Sequence, residues 1–444
     1  MRLSTRLRSY AMRLLGSQAM LNLPRRVARA RRKIRGQTPT IYYFHQVDDP
    51  YSLIMAQQLE RFAAMISLDI TPYLVSGPND AFKGDASRFD DWALRDAASI
   101  ASFLGDPLPI PDGLEQAAYP PPDQSTAANA SLLAALHGGH FWQLAQQTGH
   151  ALWSRQLAPN VSDETAANVA QALNEGDTLQ ESLGHYQGGT LYFEGEWFWG
   201  ADRLPRLWDR LAAEGFCDAE SPVFDPYRNG TAERLTANGP VSAEITLEYS
   251  PSLRSPYSAI AHADVERLIS RTQVALTLRP VMPMLMRGVT APRAKQRYIL
   301  TDCSREAQAS NTPFGNFVDP FGEPVKRGFA LFPGALAQGK GMAFVGAFLS
   351  AAFAEGIDID SEHGLREVVA NAGLPWEATQ SHPDSAAWAE LLEDNVNAML
   401  GAGLWGVPSF RISSPGEPDF CCWGQDRIWR VEHELARRSQ QSDG

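Results

Sequence analysis

One pattern runs through this chain twice. Thr40-Ile41-Tyr42-Tyr43-Phe44 reads as a buried strand, and Asp49-Pro50-Tyr51-Ser52 leads into an apolar helix from Leu53 to Ile66. Far downstream, Ala243-Glu244-Ile245-Thr246-Leu247-Glu248-Tyr249 repeats the strand and Ser255-Pro256-Tyr257-Ser258 repeats the helix start. Tyr51 lies 41 residues before Trp92, and Tyr257 lies 41 residues before Tyr298, each pair ending in a helical segment. Both halves also close alike, on Phe198-Trp199-Gly200-Ala201-Asp202-Arg203-Leu204 and on Cys422-Trp423-Gly424-Gln425-Asp426-Arg427-Ile428. A repeat of this length requires two copies of one folding unit, each burying its own core. Each copy reads strand, helix, strand, a long helical stretch, then two strands and a helix. That is an α/β layered domain with a βαβ start and a hairpin end.

The expected organisation is a basic amphipathic arm over 1–37, a first domain over 38–213, a linker over 214–242, a second domain over 243–437 and a tail over 438–444. The linker assignment rests on Pro222, Pro226, Gly230, Gly239 and Pro240. The helical stretches include Phe141 to Leu157 and Met342 to Glu355. A length of 444 residues suits two cores, and 44% hydrophobic with 20% charged residues excludes a disordered or fibrous chain. No apolar run is long enough for a spanning helix. Cys217, Cys303, Cys421 and Cys422 have no C-x-x-C spacing, which disfavours a zinc ribbon and a dithiol oxidoreductase. Sparse cysteines fit a reducing, cytoplasmic setting.

The net charge of −12 is unevenly distributed. Residues 1–47 hold eleven Lys/Arg and no Asp/Glu; the remainder holds 28 basic and 51 acidic residues, a balance of −23. Nucleic acid is not expected on so acidic a body. Leu3, Leu7, Tyr10, Leu14 and Leu21 fall near one helical face, with Arg2, Arg6 and Arg13 outside it, and a basic run follows from Arg25 to Lys33. Arg13 and Gln18 interrupt any secretory apolar core. Three readings share this arm: an interfacial helix on an anionic membrane through residues 1–36, an RNA-binding arm, and a solvated or partner-packed helix.

Ser255-Pro256 is a helix start by itself, with Ser as N-cap and Pro at the first helical position. With Leu278-Arg279-Pro280, Pro292-Arg293-Ala294-Lys295, Gly406-Val407-Pro408 and Trp423-Gly424-Gln425-Asp426-Arg427, it forms an ordered set across residues 243–437. This half resembles the kappa-class glutathione transferase and 2-hydroxychromene-2-carboxylate isomerase family, a DsbA-like thioredoxin fold with an inserted helical domain. The fold class is therefore two tandem thioredoxin-like domains, each with a helical insert.

The resemblance implies glutathione as cofactor and an aromatic or electrophilic small molecule as substrate. Ser255 would hold the thiolate at a positive helix end. Val407 and Pro408, the latter matching a cis-proline, would present backbone to the cysteinyl segment. Gln425 and Asp426 would meet the γ-glutamyl end, and Lys295 would supply a cation. The implied reaction is isomerisation of an unsaturated aromatic 2-oxo acid, or glutathione transfer to an electrophile. The other class is a non-catalytic scaffold anchored by its arm, and an oligomer is compatible with either. Arg287-Gly288-Val289-Thr290-Ala291 lacks the family's Asn before the lysine, so Arg287 and Arg293 stand either for an anionic co-substrate or for a charged loop. Cys421-Cys422 also suggests disulfide exchange, a weaker reading because bridging neighbours strains the backbone.

In the first copy Asp49 takes the place of Ser255 and Gly189 that of Pro408. An anion there would repel a thiolate, which makes this copy a structural partner. The alternative is acid–base chemistry by His45, Asp48 and Asp49. His137 and His140 stand three residues apart but lack further ligands, so no metal is expected.

Overall fold

The computed structural model describes residues 3–104, 110–136, 138, 140–220, 225, 239–380 and 387–442. Most of the expected linker, 221–224 and 226–238, lies outside the described residues. The chain divides into two compact units. The N-terminal unit comprises Asn22–Asp225 with Pro292–Lys295, and the C-terminal unit comprises Met1–Leu21, Pro226–Ala291 and Gln296–Gly444.

In the N-terminal unit, β1 (Thr40–His45), β2 (Asp69–Leu74), β3 (Thr190–Phe193) and β4 (Glu196–Trp199) form one sheet in the order β2-β1-β3-β4. β1 runs parallel to β2, with Thr40 opposite Asp69, and antiparallel to β3, with Tyr43 opposite Leu191. The β-branched and aromatic run Ile41, Tyr43 and Phe44 is fully buried, as suits the middle strand of a covered sheet. Glu194 and Gly195 turn the β3–β4 hairpin with both φ values positive, at 38° and 85°.

In the C-terminal unit, β5 (Thr246–Ser250), β6 (Ala275–Leu278), β7 (Ser409–Ser414) and β8 (Glu417–Trp423) have the matching order β6-β5-β7-β8. β5 is parallel to β6 and antiparallel to β7. Both units are thus mixed α/β layers of the expected class.

Helices cover these sheets. α1 (Leu3–Leu15) belongs to the C-terminal unit, and α2 (Gln18–Ile34) belongs to the N-terminal unit from Asn22 onward. α3 (Pro50–Ala63) follows β1, α4 (Ala86–Ala101) follows β2, and α5 (Leu204–Ala213) follows β4. Their counterparts are α6 (Pro256–Thr272), α7 (Arg293–Ala309) and α8 (Ile428–Ser442). α8 passes the expected boundary at 437: Arg438 is buried, its guanidinium donating to Glu434, Ser414 Oγ and the Pro418 carbonyl.

Between β6 and β7 the helical insert packs Phe329, Phe332, Phe344, Phe348 and Val368 into one apolar cluster. Gly328 permits this, since a Cβ there would meet the Phe348 ring at 2.4 Å. No helix among the described residues is long and apolar enough to cross a membrane.

Candidate functional site

The site expected in the C-terminal unit forms where β5 turns into α6. Ser255 caps α6: its backbone is extended (φ −99°, ψ 117°) and its Oγ accepts the Ser258 N–H at 3.1 Å. An Oγ that accepts this bond keeps its own O–H to donate. The turn is tight: the Ser255 N–H reaches the Ser252 carbonyl at 3.0 Å, and the Ser252 N–H reaches Ser258 Oγ at 3.2 Å. Ser252 is 1% exposed, and its own hydroxyl has no hydrogen-bond partner. A buried hydroxyl left unpaired is unfavourable unless a bound group completes it. Sequence reasoning passed over Ser252, although Ser-x-x-Ser immediately before a capping proline was there to be seen.

The loop before β7 carries the next of the expected residues. The Val407–Pro408 peptide bond is cis, the form that the resemblance implies. Gly406 packs flat on Trp423, where a Cβ would lie 2.2 Å from the indole nitrogen. Arg287 donates to the Trp405 carbonyl at 3.0 Å and to the Met282 carbonyl at 3.1 Å, and burial pushes its pKa down. Its guanidinium therefore fastens the loop. The Pro408 carbonyl accepts the Gly424 N–H at 2.9 Å, which ties this loop to the turn Gln425–Arg427. That turn packs against α6 and leads into α8, so Asp426 stands at a helix entrance. The Asp426 side chain is about a quarter exposed, with Oδ1 3.7 Å from the Arg427 guanidinium.

Three further polar groups frame α6. Arg254, beside the cap, donates from Nε to the buried Asp319 at 2.8 Å and stacks 4.7 Å over the Phe321 ring. Asp319 also pairs with Arg8 of α1 at 3.1 Å. Tyr257 donates to the buried Asp302 at 2.8 Å. This last contact recurs in the other unit as Tyr51 to Asp96 at 2.8 Å, and both pairs are 45 residues apart. That shared spacing was a legible signal. The Arg279 of Leu278-Arg279-Pro280 pairs with Glu248 of β5 at 3.1 Å and so fixes the sheet.

Lys295 groups with the N-terminal unit. Its Nζ donates to the Phe82 carbonyl at 2.6 Å within the N-terminal unit, and burial lowers its pKa to about 8. None of the four cysteines is in a disulfide, and the buried Cys422 thiol contacts the Arg427 carbonyl at 4.0 Å. No cysteine stands in the turn from Pro251 to Ser258.

The equivalent place in the N-terminal unit is occupied by a carboxylate. Asp49 caps α3, with Oδ2 accepting both the Ser52 N–H and the Ser52 hydroxyl at 2.8 Å and Oδ1 accepting the Tyr51 N–H at 3.3 Å. Burial raises its pKa to about 6 against those bonds. The Gly189 carbonyl accepts the Gly200 N–H at 3.0 Å, as the Pro408 carbonyl accepts that of Gly424, and the Gly189 φ is +62°. A Cβ on Gly189 would come within 3.3 Å of Asp49 Oδ2. The His45 imidazole is held neutral by burial, its pKa lowered to about 3, with Nδ1 3.0 Å from the Tyr43 hydroxyl. Asp48 accepts from Gln46 and from Ser125 at 3.0 Å. His45, Asp48 and Asp49 therefore each have their own structural partners. Among the described residues no cluster of three His, Cys, Asp or Glu side chains could hold a metal, and His137 lies outside them.

Residues 246–436 match the DSBA-like thioredoxin domain family. No curated protein matches the sequence. Among solved structures, a 2-hydroxychromene-2-carboxylate isomerase is 24% identical, with a TM-score of 0.37, covering 45% of this chain and 98% of that one. The cytosolic disulfide reductase DsbM from Pseudomonas aeruginosa is 19% identical, with a TM-score of 0.34, covering 45% and 97% respectively. A protein described as a disulfide isomerase from Nitrosomonas europaea is 16% identical, with a TM-score of 0.35, covering 45% and 100%.

Proposed function

We propose that the DSBA-like thioredoxin domain of residues 246–436 works as a glutathione-dependent isomerase of unsaturated aromatic 2-oxo acids, or as a transferase sharing its first step. The observation that carries this reading is the serine cap. A thiol chemistry of the protein's own would need cysteine at the positive end of α6, and that turn offers Ser255 and Ser258 instead. The thiol must then come from a ligand. The residues fit such a ligand: the Ser255 O–H is available to donate, and the buried Ser252 hydroxyl lacks a partner.

Glutathione held here would supply a nucleophilic thiolate for reversible attack on a conjugated substrate. Ser255 stabilises the anionic sulfur by donating its proton in a hydrogen bond, aided by the α6 dipole. The Val407 main chain would pair with the extended cysteinyl segment, and Asp426 with Gln425 would receive the γ-glutamyl ammonium end. Lys295 is given no step, because its amine is spent on the Phe82 carbonyl. The N-terminal unit serves as a structural partner, its equivalent position filled by Asp49.

Calorimetry with glutathione on wild type, Ser255→Ala and Asp426→Ala tests the reading. Binding that weakens in both variants supports it and justifies a screen of aromatic oxo acids and electrophiles. Absence of binding at millimolar glutathione defeats it, and the non-catalytic scaffold then stands.

A further inference from the structure

The N-terminal helices carry a surface that the described residues leave exposed. Taking 100° per residue, Leu3, Leu7, Tyr10 and Leu14 fall within about 60° of one another on α1, and Leu23, Val27, Ala30 and Ile34 do the same on α2. The two stripes match position for position at an offset of 20 residues, as do the cations beside them, Arg6 with Arg26 and Arg13 with Lys33. In each helix the stripe points away from the unit on which the helix rests. Leu3, Leu7, Tyr10 and Leu14 are 74%, 63%, 68% and 45% exposed; Leu23, Val27 and Ile34 are 48%, 38% and 85% exposed.

The opposite faces are anchored. On α1, Thr5 and Ser9 are buried, Met12 and Leu15 pack on the apolar cluster, and Arg8 pairs with Asp319. On α2, Arg25 bonds Glu196 at 2.5 Å, Arg32 bonds Glu194 at 2.5 Å, and Arg29 pairs with Glu194 and Glu214. Gly195 of the hairpin lets the helix lie close, since a Cβ there would meet the Pro24 carbonyl carbon at 2.4 Å. The inward arginines are thus neutralised by the unit's own carboxylates. The outward ones are not needed for that: Arg26 and Lys33 flank the α2 stripe on one side, Arg31 and Arg35 on the other, and all four are exposed.

We infer that each of these outward faces, taken by itself, seats its helix on an anionic lipid surface. On α2 the apolar stripe between two rows of cations takes acyl chains in its middle and headgroup phosphates on its flanks; on α1 Arg6 and Arg13 stand on one flank, Arg13 with its Nε on the Phe317 carbonyl at 2.8 Å. A polyanion such as RNA would meet the cations but leave Leu3, Leu7, Leu23 and Ile34 in water. A second copy of the chain would find on each face only one turn-width of apolar surface, well short of what a stable dimer buries. The inference does not rest on the glutathione reading.

The test is co-sedimentation of the full chain with vesicles of phosphatidylcholine, with and without phosphatidylglycerol. The expected result is pelleting with the anionic vesicles only, reversed by high salt. Replacing Arg26, Arg31 and Lys33 together by Gln should weaken partitioning about a hundredfold, at roughly fivefold per cation. Val27→Ser with Ile34→Ser, or Leu7→Ser with Leu14→Ser, should weaken it at unchanged charge. Because these side chains are exposed, the variants should keep wild-type circular dichroism and melting temperature. Equal pelleting with neutral vesicles, no pelleting at all, or pelleting indifferent to the cations would overturn the inference. So would a stripe-dependent dimer in sedimentation equilibrium, or retention by RNA, without vesicle binding.

Discussion

Replacing Asp49 by Asn isolates the difference between the two helix entrances. The Asp49 carboxyl is buried and titrates near 6, against 3.8 unperturbed. A displacement of about two pH units corresponds to roughly 3 kcal/mol disfavouring the ionised form in the folded protein. The sign follows from proton binding: between pH 4 and 6 the folded state holds this proton and the unfolded state does not, so the group's contribution falls as pH rises and is flat above about 6. Asn keeps the capping oxygen for the Ser52 N–H but gives up acceptor capacity, at a cost of about 1 kcal/mol. Asp49→Asn should therefore destabilise the chain by about 1 kcal/mol near pH 4 and stabilise it by about 2 kcal/mol at pH 8. Hydrogen exchange of peptides covering α3, across a urea series at both pH values, reads the local free energy. A pH-independent difference, or a variant less stable at pH 8, would show that the carboxylate is not strained by burial and that the contrast with Ser255 is only one of side-chain identity.

Other expectations follow from the same geometry. Ser255→Ala should weaken glutathione binding in calorimetry about tenfold to a hundredfold while costing only about 1 kcal/mol in denaturation, the worth of an N-cap. Ser252→Ala removes a hydroxyl without a protein partner, so stability should hold or rise slightly while glutathione affinity falls; unchanged affinity would sever Ser252 from the site. Lys295 has a pKa lowered to about 8, so its buried ammonium disfavours folding at neutral pH, and that penalty fades as pH climbs from 8 toward 10.5. The stability gain of Lys295→Met over wild type, measured by urea denaturation, should accordingly shrink across that range. Asp319→Asn should weaken the hold on both Arg8 and Arg254, seen as faster proteolysis within α1 and a lower melting temperature.

Much of the fold was legible because it depends on local patterns. The β-branched and aromatic runs, the Pro-Tyr-Ser helix starts and the closing Trp-Gly-x-Asp-Arg segments are each set by neighbours in sequence, and their repetition in order leaves few topologies. The caps were also local: both Asp49 and Ser255 sit at the extended residue before a helix, with the proline next. Ser252 and the two Tyr–Asp bonds were harder to find, since their meaning lies in burial or in a partner 45 residues away. Lys295 shows the opposite case, a motif residue whose amine settles on a carbonyl that no sequence pattern announces.

The sequence by itself determined which elements form, that they form twice, and that the arm is amphipathic and cationic. Periodicity and charge are properties of a single helix or strand, and need no partner to be read. Only the tertiary structure decided what each charge faces. Arg25, Arg29 and Arg32 look like Arg26, Arg31 and Lys33 in the sequence, yet the first three meet Glu194, Glu196 and Glu214 while the others stay exposed. The reason is physical. A helix docks by whichever face finds complementary groups, and on α2 the carboxylates of the β3–β4 hairpin and of Glu214 took Arg25, Arg29 and Arg32 inward and turned Leu23, Val27 and Ile34 out.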